Sequence, residues 1–313
     1  MPAPIRAVFM GNDAWSVPTL ERLARPNGVD VVLVVTNPPR PAGRGSKLTP
    51  TSVAEAARRL SLPLEETETT RDERFAAQLR DLAPDVAVVV AYGELLASDV
   101  LYAPLLGSVN LHFSLLPRWR GASPVQHAIL EGDVVTGVTL IRMDEGMDTG
   151  PVLARREEAI RSDDDAGSLG ARLAAIGADA VAEVLLRLSL EDLAPTPQAG
   201  TPTLAPKLGP ADRAVDWTRP AGAVVRRVRA FAPDPGANTT FRGNDLKLLR
   251  AEESGWHEGA PGTIVDVDRG GVVAATGDGT VRLLEVAATG RRRMPAADWA
   301  RGVRDLPGDR FGT

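Results

Sequence analysis

Continuous apolar runs at residues 4–11, 29–36 and 85–92 alternate with segments of helical periodicity at 17–25, 51–60 and 71–82. Strands apolar on both faces and separated by helices predict a parallel sheet covered on both sides. Two further strands are expected at 136–143 and 151–160, paired around a turn at 144–150, followed by an Ala- and Leu-rich helix at 167–188. The pattern then breaks. Pro195, Pro197, Pro202, Pro206 and Pro210 punctuate a stretch with little periodicity, which reads as an extended linker. Beyond it Val224, Val225, Val228 and Phe231 recur at helical spacing, and short strands are expected at 245–250, 262–267, 271–275 and 280–286. Asp278-Gly279 is a hairpin turn signal, and a small β-barrel is the economical architecture for such a set. The expectation is an α/β fold, with a mostly parallel sheet over 1–189, a linker over 190–206 and a C-terminal barrel over 207–313.

Composition narrows the chemistry. The 313 residues include no cysteine, which removes disulfides, thiolate metal sites and a cysteine nucleophile. The run Ala7-Val8-Phe9-Met10 is too short for a signal peptide and no run approaches a membrane span, so a soluble, cytoplasmic protein is expected. Charge divides unevenly: residues 1–206 carry a net −8 and residues 207–313 a net +3. A modestly basic second half suggests an anionic partner. Its arginines concentrate as Arg226, Arg227 and Arg229 on one helix and Arg291, Arg292 and Arg293 in one turn.

The densest chemistry lies in Asn110-Leu111-His112-Phe113-Ser114-Leu115-Leu116-Pro117-Arg118-Trp119-Arg120-Gly121. On a strand expected over 107–113, Asn110 and His112 share one face while Leu111 and Phe113 take the other. Asp148 follows 36 residues after His112, inside Met143-Asp144-Glu145-Gly146-Met147-Asp148-Thr149-Gly150. An amide, an imidazole and a carboxylate suffice for acyl transfer to an amine without a covalent nucleophile or a metal. By contrast Gly11-Asn12-Asp13-Ala14-Trp15 lacks the dinucleotide fingerprint, and Gly43-Arg44-Gly45-Ser46-Lys47 lacks phosphate-loop spacing. The segment at 38–47 is too rich in Gly and Pro for helix or strand, and it presents Arg40, Arg44 and Lys47 as cations on a loop.

Four blocks carry a resemblance that spans nearly the whole chain: residues 40–50, 110–124, 136–150, and a scattered C-terminal set at 207–217, 229–231, 261–264 and 275–279. The chain resembles the folate-dependent formyltransferases. The second and third blocks are common to that family; the first block and the C-terminal half are similar to its tRNA-acting branch. The resemblance implies a Rossmann-like catalytic domain and an oligonucleotide-binding-type barrel. It implies 10-formyltetrahydrofolate as donor and the amino group of methionyl initiator tRNA as acceptor.

In that frame Asn110 would stabilise the oxyanion, His112 would carry the proton and Asp148 would orient the imidazole. The strand end at Val88, Val89, Val90 and Tyr92 and the turn Ser114-Leu115-Leu116-Pro117 would hold the folate. Arg40, Arg44 and Lys47 would reach the acceptor end of the tRNA; Lys207, Arg226, Arg227, Arg229, Arg291, Arg292 and Arg293 would hold its acceptor arm through phosphates. No metal is expected in the site, and a monomer is. Phe113 departs from the small residue or proline of many relatives, with packing rather than chemistry expected to change. Two rivals share the same three groups: a formyltransferase acting on a small amine, and a hydrolase of the same donor. A non-catalytic RNA-binding protein is the third.

Overall fold

The computed structural model describes residues 3–26, 28–42, 47–190, 192–303 and 306–312. In chain order the elements are β1 (Ile5–Gly11), α1 (Val17–Leu23), β2 (Val29–Thr36), β3 (Arg40–Ala42), β4 (Lys47–Thr49), α2 (Ser52–Arg59), β5 (Leu64–Glu66), α3 (Glu73–Leu82), β6 (Val86–Val90), α4 (Ser98–Leu101), β7 (Ser108–His112), α5 (Pro124–Glu131), β8 (Val135–Arg142), β9 (Val152–Ala159) and α6 (Ala166–Ser189). The remainder holds α7 (Ala221–Phe231), β10 (Ala237–Phe241), β11 (Asn244–Glu253), β12 (Ile264–Asp268), β13 (Gly271–Ala275), β14 (Thr280–Ala288), β15 (Met294–Pro295) and α8 (Ala296–Arg301). Two compact units result. The first comprises residues 1–124, Val135–Ala159 and Gly170–Pro206; the second comprises Val125–Val134, Ile160–Leu169 and residues 207–313.

The first unit is built on a seven-stranded sheet in the order β5-β2-β1-β6-β7-β8-β9. It is parallel from β5 to β7, and β8 and β9 run antiparallel. The Val-rich centre follows from burial on both faces: every residue of β6 is buried, and β-branched side chains suit that doubly packed surface. Helices start where short polar side chains can satisfy their first amides. Thr51 accepts from the Ala54 N–H ahead of α2, and Asp72 accepts from the Phe75 N–H ahead of α3. The chain winds outward from β1 in both directions, so the carboxyl ends of β1 and β6 form the switch point at which open α/β sheets bind ligands. Asn12 ties this end together: its Oδ1 accepts from Thr36 Oγ1 at 2.9 Å and from the Asn37 N–H at 2.8 Å, and its Nδ2 donates to the Tyr92 carbonyl.

The second unit carries an antiparallel sheet in the order β10-β11-β14-β13-β12, with β15 on β14. The C-terminal residues join its edges, Phe311 bridging Phe241 and Arg310 bridging Thr263. Trp217, Phe241, Trp299 and Phe311 cluster there, with Trp217 stacked on Phe311 at 5.1 Å. The α/β class, the mostly parallel first sheet and the antiparallel C-terminal architecture agree with the expectation.

One expectation needs correction. The segment at 38–47 was expected to form neither helix nor strand, yet its flanks pair as an antiparallel ribbon, with Arg40 opposite Thr49 and Ala42 opposite Lys47. A two-stranded ribbon is all edge, where the missing N–H of Pro41 costs nothing. The segment at 190–206 carries no helix and no strand longer than an isolated bridge among its described residues. Its described part belongs to the first unit, where Thr196 bridges Val152 and Leu204 bridges Arg120. Among the described residues no helix is long and apolar enough to cross a membrane, and no group of three His, Asp or Glu could hold a metal ion.

Candidate active site

Strand β7 presents its polar pair as alternation dictates. Leu111 is buried on the face towards Gly177 of α6, where even a methyl group would meet its side chain at 2.6 Å. Asn110 and His112 occupy the opposite face. The strand ends at His112, so alternation does not govern Phe113; that ring is buried all the same and packs on Trp15 at 5.8 Å.

Asp148 is brought to the pair by the turn between β8 and β9. Asp144 Oδ1 accepts from the Gly146 N–H and from Thr149 Oγ1, which folds the turn onto itself. Gly150 lies so close to the sheet that an added Cβ would come 1.9 Å from the Arg142 carbonyl oxygen. Asp148 itself takes the left-handed conformation, φ 55°, which few non-glycine residues enter and which Asp tolerates better than most.

The resulting constellation is compact. Asn110 Nδ2 donates to Asp148 Oδ1 at 3.2 Å, and the Gly121 N–H donates to Asp148 Oδ2 at 2.8 Å. His112 Nδ1 stands 3.5 Å from the same Oδ2, with the imidazole only 6% exposed and the carboxylate 14%. His112 Nε2 meets the Trp119 carbonyl oxygen at 2.8 Å. A carbonyl oxygen only accepts, so Nε2 carries the hydrogen and Nδ1 of the neutral ring is the basic position. That nitrogen faces the carboxylate edge of Asp148. Asn110 has two amide hydrogens and spends one on Asp148.

The turn after β7 is braced from the neighbouring strand. Thr139 sits opposite His112 in the β7–β8 register; its hydroxyl donates to the Ser114 carbonyl at 2.6 Å and accepts from the Leu116 N–H at 3.0 Å. Ser114 Oγ donates to the Arg118 carbonyl at 2.6 Å, and Arg155 donates to the Leu116 carbonyl at 2.5 Å. Ser114, Leu116 and Pro117 are buried, leaving Leu115 as the partly exposed side chain of the four expected to meet folate.

The expectation for Val88, Val89 and Val90 narrows in the same way. Their side chains are at most 5% exposed and their strand is paired on both sides, with β1 and β7. The strand pairing ends at Val90, and in the segment Ala91-Tyr92-Gly93 that follows the Tyr92 carbonyl is taken by Asn12 Nδ2. Tyr92 turns its ring into the core beside Val8, Met10 and Val89, and burial, with Glu94 nearby, pushes its hydroxyl up to about 12. Open space lies at Gly93, where an added Cβ would meet nothing within 4 Å.

The expected tRNA contacts divide into two sorts. Arg40, Lys47, Lys207, Arg291 and Arg292 are exposed, as is Arg293, which pairs with Glu285; Arg44 lies outside the described residues. The three arginines of α7 are engaged inside the second unit. Arg226 Nε donates to the Leu130 carbonyl at 3.1 Å, Arg227 to the Asp212 carbonyl, and Arg229 to the carbonyls of Asp164 and Arg161 at 2.5 and 2.7 Å. Burial holds the Arg229 guanidinium below its ordinary value, and the neighbouring Asp164 and Asp163 oppose that shift. Helical spacing placed these arginines on one element but could not disclose that carbonyl groups already occupy them.

Sequence reading missed several residues that build the site: Thr139, Arg155, the Trp119 carbonyl, the Gly121 N–H, Gln198 and Thr203. Only Gly121, the glycine closing the turn, left a signal in the sequence.

Comparison with known proteins points to one family. Residues 5–185 match the family model for formyl transferase, and residues 207–304 match that for the formyl transferase C-terminal domain. The chain is 47% identical to a methionyl-tRNA formyltransferase of Roseiflexus castenholzii, over 98% of this chain and 99% of that one. It is 45% identical to the methionyl-tRNA formyltransferase of Thermus thermophilus, over 98% and 99%. Among solved structures, HypX from Aquifex aeolicus in complex with tetrahydrofolic acid shares the fold, with a TM-score of 0.64 at 19% identity over 98% of this chain and 49% of that one. Full-length similarity at this level, together with both matched domains, means that the chain belongs to the methionyl-tRNA formyltransferase family.

Proposed function

We propose that the chain transfers the formyl group of 10-formyltetrahydrofolate to the amino group of methionyl initiator tRNA, with Asn110, His112 and Asp148 as the reacting groups. The observation that carries this reading is the Asn110–Asp148–His112 arrangement at the carboxyl end of β7.

The chemistry follows from the hydrogens available. The donor is a substrate consumed in the reaction. The neutral amine attacks the formyl carbon, and the formyl oxygen takes up the electron pair of its carbonyl bond. The second amide hydrogen of Asn110 is the donor to that oxygen, a role worth about 3 kcal/mol in comparable sites. The attacking nitrogen, now cationic, gives a proton to His112 Nδ1, and the imidazolium that forms is balanced by Asp148. His112 returns the proton to the folate nitrogen as the carbon–nitrogen bond breaks, and the carbonyl re-forms on the product amide. One proton moves twice, nothing is oxidised, and no covalent enzyme intermediate is needed.

For the donor, the backbone just past the end of β6, beside the open space at Gly93, is assigned the hydrogen-bonding part, with Leu115 and the exposed Met147 as apolar side chains of the site loops. For the acceptor, Arg40, Arg44 and Lys47 are assigned to the acceptor end, and Lys207, Arg291, Arg292 and Arg293 to backbone phosphates. The α7 arginines are assigned a structural part on account of their carbonyl partners. All three reacting groups come from one chain, which supports action as a monomer, and a tRNA substrate points to the cytoplasm.

The test compares formyl transfer by Asn110→Ala, His112→Ala and Asp148→Asn with their binding of tetrahydrofolate. Loss of turnover with binding retained is the expected result. Undiminished turnover in all three would refute the assignment. A separate arm uses Arg44→Ala, for which tRNA formylation should fall much further than folate binding.

A further inference from the structure

The stretch that sequence composition marks as a linker makes a closely spaced set of polar contacts to both site loops. Gln198 Nε2 donates to the Asp148 carbonyl at 2.8 Å and to the Gly150 carbonyl at 2.9 Å. Its Oε1 accepts from Arg120, from Nη2 at 2.7 Å and from Nε at 3.2 Å. One amide therefore joins the Asp148 turn to the loop that follows His112. Five residues on, Thr203 grips that loop again. Its hydroxyl accepts from the Trp119 N–H at 2.9 Å, and its N–H donates to the Pro117 carbonyl at 3.2 Å. The Arg120 N–H donates to the Thr203 carbonyl at 2.9 Å, and the Arg120 carbonyl accepts from the Ala205 N–H at 2.7 Å.

Two of the gripped groups, the Asp148 carbonyl and the Trp119 N–H, belong to residues that bear directly on the candidate carboxylate and imidazole. Asp148 holds its left-handed backbone while its own carbonyl is fixed by Gln198. Trp119, whose N–H is fixed by Thr203, supplies the carbonyl that sets the His112 tautomer, and it too is left-handed, φ 63°. Two left-handed residues carry the orientation of the carboxylate and of the imidazole. Such conformations persist only where their surroundings over-determine them. Partners for both come from the same strap. Gly121, which gives its N–H to Asp148, lies so near that strap that an added Cβ would come 2.6 Å from the Ala205 carbonyl oxygen.

We infer that residues 196–205 are part of the active site rather than a connector, with Gln198 and Thr203 as positioning residues that set the Asp148–His112 geometry. This rests on the reading of Asn110, His112 and Asp148 as the reacting groups. Gln198 acts through the backbone of Asp148 and the loop at Arg120; Thr203 acts through Trp119. Because neither touches the substrates in this account, losing either should cost turnover and leave substrate binding alone.

The experiment measures kcat, both KM values, the pH profile of kcat and the melting temperature for Gln198→Leu, Gln198→Glu and His112→Ala in the full chain. Gln198→Leu removes every polar contact of the amide. Gln198→Glu keeps its shape and the Arg120 contact and removes the two donated bonds. For both, kcat should fall about 10–100-fold with KM values within about threefold of the original, as misplacement by a fraction of an ångström to an ångström would cause. The deficit of Gln198→Glu should grow as pH rises, since a protonated carboxyl can still donate one of the bonds and an ionised one cannot. A Gln198→Glu enzyme that folds but shows the original kcat and pH profile, beside an inactive His112→Ala, overturns the inference while leaving the reacting groups in place. An active His112→Ala removes the underlying reading, and the inference with it.

Discussion

His112 Nε2 donates its hydrogen to the Trp119 carbonyl oxygen at 2.8 Å, seven residues along the chain. This bond leaves Nδ1 as the basic nitrogen, 3.5 Å from Asp148 Oδ2. Glutamine at this position can still donate an amide hydrogen towards Trp119 but has no titratable nitrogen to offer the substrate. His112→Gln should fold with a near-normal melting temperature and lose about 10²–10⁴-fold in kcat, the range spanned by a positioned acid–base group. Steady-state release of tetrahydrofolate measures it; turnover within a few-fold of the original would remove His112 as proton carrier.

Gly121 joins two constraints. Its φ of 124° lies where side chains are disfavoured, and an added Cβ would come 2.6 Å from the Ala205 carbonyl oxygen. Gly121→Ala must shift the backbone whose N–H holds Asp148 at 2.8 Å. We expect about a 10–100-fold loss of kcat with folate binding largely kept. An alanine variant that titrates and turns over normally would mean that the Gly121–Asp148 bond has no part in orienting the carboxylate.

Tyr92 gives the fold a defined alkaline weakness. Its hydroxyl, ordinarily near 10, is pushed up to about 12 by burial. A raised value means that the folded chain resists ionisation while the unfolded chain does not. The stability present below pH 10 is therefore lost progressively as pH rises towards 12. Tyr92→Phe should flatten the fall of melting temperature across that window. Identical curves for the two proteins would show that the hydroxyl does not drive it.

Arginines of the second unit should separate into two groups. Arg229 donates to two carbonyl oxygens, so Arg229→Ala should lower stability by about 1–3 kcal/mol and read out chiefly in the melting temperature. The exposed Arg291 and Arg292 should behave oppositely. Replacing both with alanine should leave the melting temperature nearly unchanged and reduce the slope of log affinity for tRNA against log salt by about 2. An unchanged slope would take these two away from the phosphate contacts.

The legible part of the molecule is that written in local periodicity. The Val-rich β6, the alternation of β7 and the turn ahead of β14 could be read residue by residue, and with them the face shared by Asn110 and His112. Three-residue strands such as β5, Leu64-Glu65-Glu66, carry too little pattern to register. The ribbon of β3 and β4 hides for a different reason: Gly and Pro composition argues against strand, while the pairing of its flanks is a tertiary fact. At the candidate site, sequence could name Asn110, His112 and Asp148 but not what surrounds them. Trp119 contributes a carbonyl and Gly121 an N–H, groups that every residue has and that no composition advertises. Gln198 lies in a segment whose prolines signal only an extended chain. Its contacts at 148, 150 and 120 join positions 48 to 78 residues away.

The central claim is that this site formylates a methionyl group carried on initiator tRNA. The most direct test offers the chain 10-formyltetrahydrofolate with methionyl initiator tRNA, methionyl elongator tRNA or free methionine, and measures formyl transfer to each. Rapid formylation of the initiator tRNA, far above the other two, is the predicted result. Donor binding without transfer to any of the three would contradict the acceptor and turn attention to small amines.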